Sequence, residues 1–317
     1  MAYNHSKLPD VVAPTAVSMN SVRTLLASLV DYAGLFPPAQ LQMRAAVPRY
    51  ADHRAGPYSW MLGRFVLPLS QLGEFERCFD GLPAAQRSVP WNLAVLAGRN
   101  LQADAKKIVE FNRRHGDEGR QDARIETIDL KVHSLDDIAP AADLIAEPAE
   151  AYFEIPIATD PDDWLAAVAG AGGRAKVRTG GVSTELFPAV SDLARFLRSC
   201  AAHRVPFRAA GGLLHAVRGE YALAAGERSA HVVMHGFLNL FLAASLAYTD
   251  RAGVRLLEAV LGEQSPAAFA FDETGVSIHG RRLSCESLAA TRRQFATSYG
   301  SCLIEEPIED LKRLGLI

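Results

Sequence analysis

The chain of 317 residues is 49% hydrophobic and 22% charged, with a formal net charge of -3; this is the composition of a globular protein able to bury a large core. No Lys/Arg run exceeds a pair or triplet, so there is no electrostatic case for nucleic acid as a partner. The four cysteines, Cys78, Cys200, Cys285 and Cys302, are scattered without a CxxC or zinc-like spacing, which speaks against a disulfide scaffold and against a metal site.

Short apolar runs alternate with longer helical patterns along the chain. The runs are Tyr32–Phe36, Trp60–Leu67, Trp91–Ala97, Glu126–Val132, Ala151–Ile157, Ala175–Thr179, Pro206–Ala210 and Ala267–Phe271. All but the last are about 30 residues apart, which is room for one strand and one helix. Eight such units predict a single α/β domain spanning 1–317, a (β/α)8 TIM barrel, with an open doubly wound sheet as the runner-up. The length exceeds the usual domain size, but α/β barrels run this long.

Helix signals fall between the runs. Asp160-Pro161 predicts a helix start before Trp164. Ser134 with Asp137 forms a capping-box pattern before Ile138. Leu186, Val190, Leu193, Phe196 and Leu197 form a helical apolar stripe, which reads as core. Between strands seven and eight lies a predicted helical insertion, His231–Tyr248 and Val254–Leu261. His231–Tyr248 is strongly apolar but carries His231, His235, Asn239 and Ser245, so a buried helix explains it better than a membrane span. Residues 1–18 read as an N-terminal arm, and 287–317 as a closing helix with a docked tail. Met1 to Asp10 is polar, and with no export stretch the expected location is the cytoplasm, with reduced thiols.

Barrel chemistry sits at the C-terminal ends of the strands. Strand one offers Asp31 and Phe36-Pro37-Pro38, strand three Asn92, and strand four Asp129, Lys131 and His133. Strand five offers Glu154, and strand eight Asp272 and Glu273. Strands six and seven are the richest. Lys176 and Arg178 precede Gly180-Gly181, and Arg208 precedes Gly211-Gly212 and His215. Side chains alternate with period two, so Lys176 and Arg178 share a face. Glycine lets backbone N–H groups approach an anion, and a following helix N-terminus would favour it.

The stretch RAKVRTGGVSTELFPAVSDLARFL followed by PFRAAGGLLH resembles the deoxyribose-phosphate aldolase group of class I aldolases. The likeness covers roughly residues 174–215. It implies a (β/α)8 barrel in which Lys176, in its Lys-x-x-Thr-Gly context with Thr179 and Gly180, forms a Schiff base. The family carries a second lysine on strand seven where this chain has Arg208, which implies that Arg208 takes over its electrostatic role but not proton transfer. The nearest match to the family's proton-relay aspartate is Asp129.

The expected function is therefore a class I, Schiff-base aldolase-like lyase acting on a small phosphorylated or carboxylated carbonyl compound. Lys176, Asp129, Glu154 and Arg208 are the expected catalytic residues. Arg178, Thr179, Gly180, Gly181, Gly211, Gly212 and His215 are the expected anion-binding residues. No metal or organic cofactor is expected, and no membrane partner. A small-molecule substrate is the expected partner, with homo-oligomerisation open. Plainer readings stand beside these: Lys176 as an ion-pair partner of Glu154 or Asp129, and the glycine pairs as tight turns. Two rival functions share the site, a barrel isomerase or decarboxylase working without an imine, and a non-catalytic anion-binding barrel.

Overall fold

The computed structural model describes residues 19–116, 119–145, 147, 149–223 and 230–317. The N-terminal arm read over 1–18 lies outside the described residues. Eight parallel strands close into a barrel, so the sheet is not an open one. In chain order the first seven are β1 (Val30–Tyr32), β2 (Leu62–Pro68), β3 (Trp91–Leu96), β4 (Ala123–Lys131), β5 (Glu150–Glu154), β6 (Arg174–Arg178) and β7 (Phe207–Ala210). After β7 comes a two-stranded hairpin, β8 (Gly219–Ala222) and β9 (His231–Met234). A small antiparallel sheet follows, β10 (Ala270–Asp272), β11 (Gly275–Ile278) and β12 (Arg281–Ser284). The eighth barrel strand is β13 (Ala296–Ser301), which pairs with β7 on one side and β1 on the other.

Two expectations need correction here. Ala267–Phe271 is not a barrel strand: it ends in β10, the edge of the small sheet. The stretch 287–317 is not a helix with a tail, because β13 divides it into the helices Cys285–Gln294 and Glu305–Arg313. The region between β7 and the closing strand is accordingly more than helical. It holds the hairpin, the helices Phe237–Thr249 and Val254–Gly262, the small sheet and the helix Cys285–Gln294.

The two faces of the barrel strands divide by chemistry. The outward face carries the apolar residues. Phe65 and Trp91 join Tyr50, Phe75 and Phe79 in an aromatic cluster beneath the helices Met43–Ala55 and Leu72–Asp80. Each of these side chains buries a large apolar surface, and their tilted and edge-on contacts are the favoured geometries. The helix Phe237–Thr249 is apolar all round because it is covered all round. It packs against Val190–His203, Val254–Gly262 and Cys285–Gln294. Among the described residues no helix is long and apolar enough to cross a membrane.

Local starts follow the expected chemistry. The Asp160 Oδ1 accepts from the Asp162 N–H at 3.1 Å where the helix Asp162–Gly170 begins. The Ser134 N–H donates to Asp137 Oδ2 at 2.9 Å, closing the capping box. The four cysteines are all free thiols.

Candidate active site

Barrel interiors are usually filled by branched apolar side chains. This one is filled by ions. From the C-terminal mouth inward, Arg178 Nη2 meets Glu154 Oε1 at 3.3 Å, and Glu154 Oε2 lies 3.0 Å from Lys176 Nζ. Lys176 Nζ is also 3.0 Å from Asp129 Oδ2. The other oxygen of Asp129 accepts from Arg208 Nη1 at 3.3 Å, and Arg208 Nη2 is 3.3 Å from Asp31 Oδ2. Asp31 Oδ1 lies 3.8 Å from Arg64 Nη1, and Arg64 Nε donates to Glu126 Oε2 at 2.9 Å. The series alternates in sign throughout: Arg178, Glu154, Lys176, Asp129, Arg208, Asp31, Arg64, Glu126. Within this series four cations face four carboxylates, so it sums to zero formal charge.

Register explains how distant residues meet. Glu154 pairs with Lys176 and Lys176 with Arg208 in direct cross-strand register. Residues opposite one another on a sheet face lie within reach of long side chains. Asp129 is three strands away from Arg208, and the curvature of the closed barrel brings it across.

Burial makes these pairs consequential. Asp31, Asp129, Lys176 and Arg208 are 0%, 6%, 5% and 2% exposed, and a buried charge needs partners to stay charged. Burial pushes the Asp129 carboxyl up, but Arg208 and Lys176 outweigh it and hold it below the usual carboxylate range. For Glu154, burial likewise pushes up, and Lys176 and Arg178 bring it below its usual value. A depressed carboxylate contributes stability above its unfolded value, about 4, and loses it as the pH falls through the folded one. We therefore expect wild type to exceed Asp129→Asn in urea midpoint at pH 6, with the gap closing towards pH 3. A gap that stays constant over that range would remove Asp129 as a native-state anion.

Arg208 is held on several sides. Its Nη1 also donates to Thr127 Oγ1 at 3.3 Å, and its guanidinium lies 5.6 Å from the centroid of the Tyr152 ring. Its Nε, buried, has no hydrogen-bond partner. Asp31 is fixed by the Arg64 backbone N–H at 2.8 Å and by the Ser298 hydroxyl at 2.6 Å.

Above the charges lies a cavity of about 260 Å³. Asp129, Lys176, Arg178 and Arg208 border it, as do Gly180, Gly181, Gly211 and Gly212. The rest of its wall is apolar. Glu154 does not line it, and touches the cavity only through Lys176 and Arg178.

The glycine pairs have a packing reason of their own. Gly211 and Gly212 have φ of +77° and +73°, where a side chain is strained. A Cβ on Gly211 would stand 2.5 Å from the Gly180 carbonyl oxygen, and one on Gly180 would meet the Phe187 ring at 2.5 Å. The loops after β6 and β7 thus lie directly against each other. Thr179, fully buried, ties them by donating its hydroxyl to the Gly211 carbonyl. No helix N-terminus follows either pair at once: a 3-10 turn at Thr184–Leu186 follows the first, and the β8–β9 hairpin follows the second.

His215 is placed elsewhere. Its Nδ1 is 3.1 Å from Asp310 Oδ2, its ring stacks on Tyr221 at 3.5 Å, and it does not line the cavity. Asn92, Lys131 and His133 are exposed, as are Asp272 and Glu273 of the small sheet. His235 is buried between Arg218 and the Pro188 carbonyl, and burial pulls its pKa down to about 4, whereas His231 is exposed. Among the described residues no group of three or more His, Cys, Asp or Glu is arranged to hold a metal ion.

Sequence reasoning names Asp31 but starts the first strand after it, at Tyr32, whereas it is the middle residue of β1; other participants it missed. Thr127 could have been found from Asp129 by the two-residue period. Ser298 and the cavity residues Gly300 and Cys302 were hidden by the misreading of β13 as helix. No protein-family model and no curated protein matches the chain.

Proposed function

We propose that the chain is a class I, Schiff-base aldolase-like lyase acting on a small carbonyl compound. One observation carries the reading: a buried lysine borders a cavity, with a carboxylate 3.0 Å from its Nζ that borders the same cavity. The resemblance of residues 174–215 to the deoxyribose-phosphate aldolase group supports it.

In this reading Lys176 passes a proton to Asp129, and its Nζ lone pair bonds to the carbonyl carbon. The carbonyl oxygen leaves as water after taking up two protons, the one that Asp129 holds and a second from Nζ, which returns Asp129 to its carboxylate form. Asp129 then removes the proton from the substrate's β-hydroxyl. The Cα–Cβ bond breaks, its electron pair moves to the iminium, and an aldehyde departs, leaving an enamine. Protonation of the enamine carbon and attack by water release the second carbonyl product and restore the amine. The iminium is the electron sink, so the sequence draws on no cofactor. Proton transfers fall to Asp129 because it reaches both Lys176 and the cavity. Glu154 positions Lys176 and Arg178. Arg208 keeps Asp129 ionised. Arg178, its side chain 42% exposed and held by Glu154, stands at the mouth of the cavity.

The test is borohydride reduction in the presence of a panel of small aldehydes and ketones, followed by peptide mass analysis. We expect an adduct on Lys176 that Lys176→Ala lacks. Labelling confined to surface lysines across the panel would overturn the imine reading. A second reading, an isomerase or decarboxylase without an imine, draws on the same geometry: both carboxylates engage Lys176 as an ion pair, and a lysine so held can act as a fixed charge.

A further inference from the structure

The cavity wall is more specific than the catalytic reading requires. Among the described residues, no Ser, Thr, Asn, Gln, Tyr, His or Trp lines it. Its side walls are built from residues such as Phe36, Val66, Leu96, Phe187, Leu214 and Met234. A polyhydroxylated substrate would leave hydroxyl groups against these side chains without partners, and each such group is costly to bury.

Charge balance adds an independent argument. Every cation at the cavity is already matched. Arg208 spans Asp31 and Asp129, Lys176 spans Asp129 and Glu154, and Arg178 is engaged by Glu154. A phosphate would bring up to two further negative charges beside three carboxylates, with no unmatched cation to receive them. In an apolar enclosure that imbalance is penalised heavily.

Resting on the Schiff-base reading of this site, we infer that the substrate is an uncharged carbonyl compound with a hydrocarbon body, branched or aromatic, and not a sugar phosphate. Its polar atoms are confined to one end, the carbonyl at Lys176 and the hydroxyl at Asp129. The cavity of about 260 Å³ lies just below the range of drug-sized pockets, so it takes a small molecule.

The experiment compares two aldehydes of closely similar size, phenylacetaldehyde and glyceraldehyde 3-phosphate, by borohydride trapping on the full-length protein. Labelling of the exposed Lys106 and Lys107 in the same samples corrects for intrinsic reactivity. We expect phenylacetaldehyde to half-saturate Lys176 at a concentration about tenfold or more below the phosphorylated aldehyde, the scale on which an apolar pocket discriminates. Val66→Thr, which puts a hydroxyl into the wall, should narrow that ratio; the buried hydroxyl also lowers the melting temperature, so the ratio is read at a temperature where circular dichroism shows the variant folded. Equal or preferential trapping of glyceraldehyde 3-phosphate on Lys176 overturns the inference and leaves the Schiff-base reading standing. If neither aldehyde traps on Lys176, it is the Schiff-base reading that fails. The cavity's preference is then read from melting temperature with 2-phenylethanol and with inorganic phosphate. Stabilisation by the alcohol, reduced in Val66→Thr and absent with phosphate, upholds the apolar class; stabilisation by phosphate alone overturns it.

Discussion

Arg208→Met should lower the stability of the protein by about 3–5 kcal/mol, the cost of removing one partner from a buried ion pair. The reason lies in what Arg208 leaves behind. Asp31 and Asp129 each have an oxygen 3.3 Å from its guanidinium, on different nitrogens, and both carboxylates are buried. Methionine fills a similar volume but answers neither. Arg208→Lys should fall between, since a single ammonium cannot span two carboxylates as the planar fork does. Urea unfolding of the three proteins at pH 7 measures this order. A methionine variant within about 0.5 kcal/mol of wild type, the range of an ordinary surface change, would show that the ionic interior is dispensable for folding.

Lys176→Arg should abolish turnover while leaving a folded protein. Arginine keeps the positive charge and reaches the same carboxylates, so Asp129 and Glu154 remain paired and the unfolding midpoint stays near wild type. It cannot supply a neutral amine at accessible pH. Removing a covalent nucleophile costs on the order of 10^4-fold or more in kcat. With a substrate found by trapping, steady-state kinetics measure the loss. Substantial residual turnover in Lys176→Arg would favour the isomerase or decarboxylase reading, in which the lysine serves only as a charge. Circular dichroism on the same sample keeps a folding defect from passing for a chemical one.

Most strands were legible because their outward faces carry long apolar runs bounded by helix signals. WNLAVL is an example. The closing strand was not, and its residues say why. Ala296-Thr297-Ser298-Tyr299-Gly300-Ser301 has no aliphatic branched side chain, because the inward residue Ser298 serves Asp31 and Gly300 borders the cavity. It also follows the helix Cys285–Gln294 with only Phe295 between, so no glycine or proline marks the boundary. Ala267–Phe271 offered a stronger apolar signal from a sheet outside the barrel. The hairpin before Phe237 was absorbed into a helix because Val232, Val233 and Met234 continue the apolar run. Gly236, the residue before that helix, was the available marker. In the site, period two was enough to group Lys176 with Arg178. Nothing local could show that Asp129 and Asp31 share Arg208, since those contacts span 79 and about 177 residues of chain.

The position of β13 also sets the order of events during synthesis. β1 pairs with a strand that begins at Ala296, so the ring cannot shut until that strand has left the ribosome. Until then β1 and β7 both present open edges, the kind that pair with other chains. Contacts of such separation are slow to form because the loop must close before they repay it. Asp31, made early, waits for Ser298 to arrive 267 residues later. A ribosome stalled before residue 296 would therefore hold a sheet with two unfilled margins and an Asp31 still without its Ser298 donor, the state in which a chaperone would be needed most.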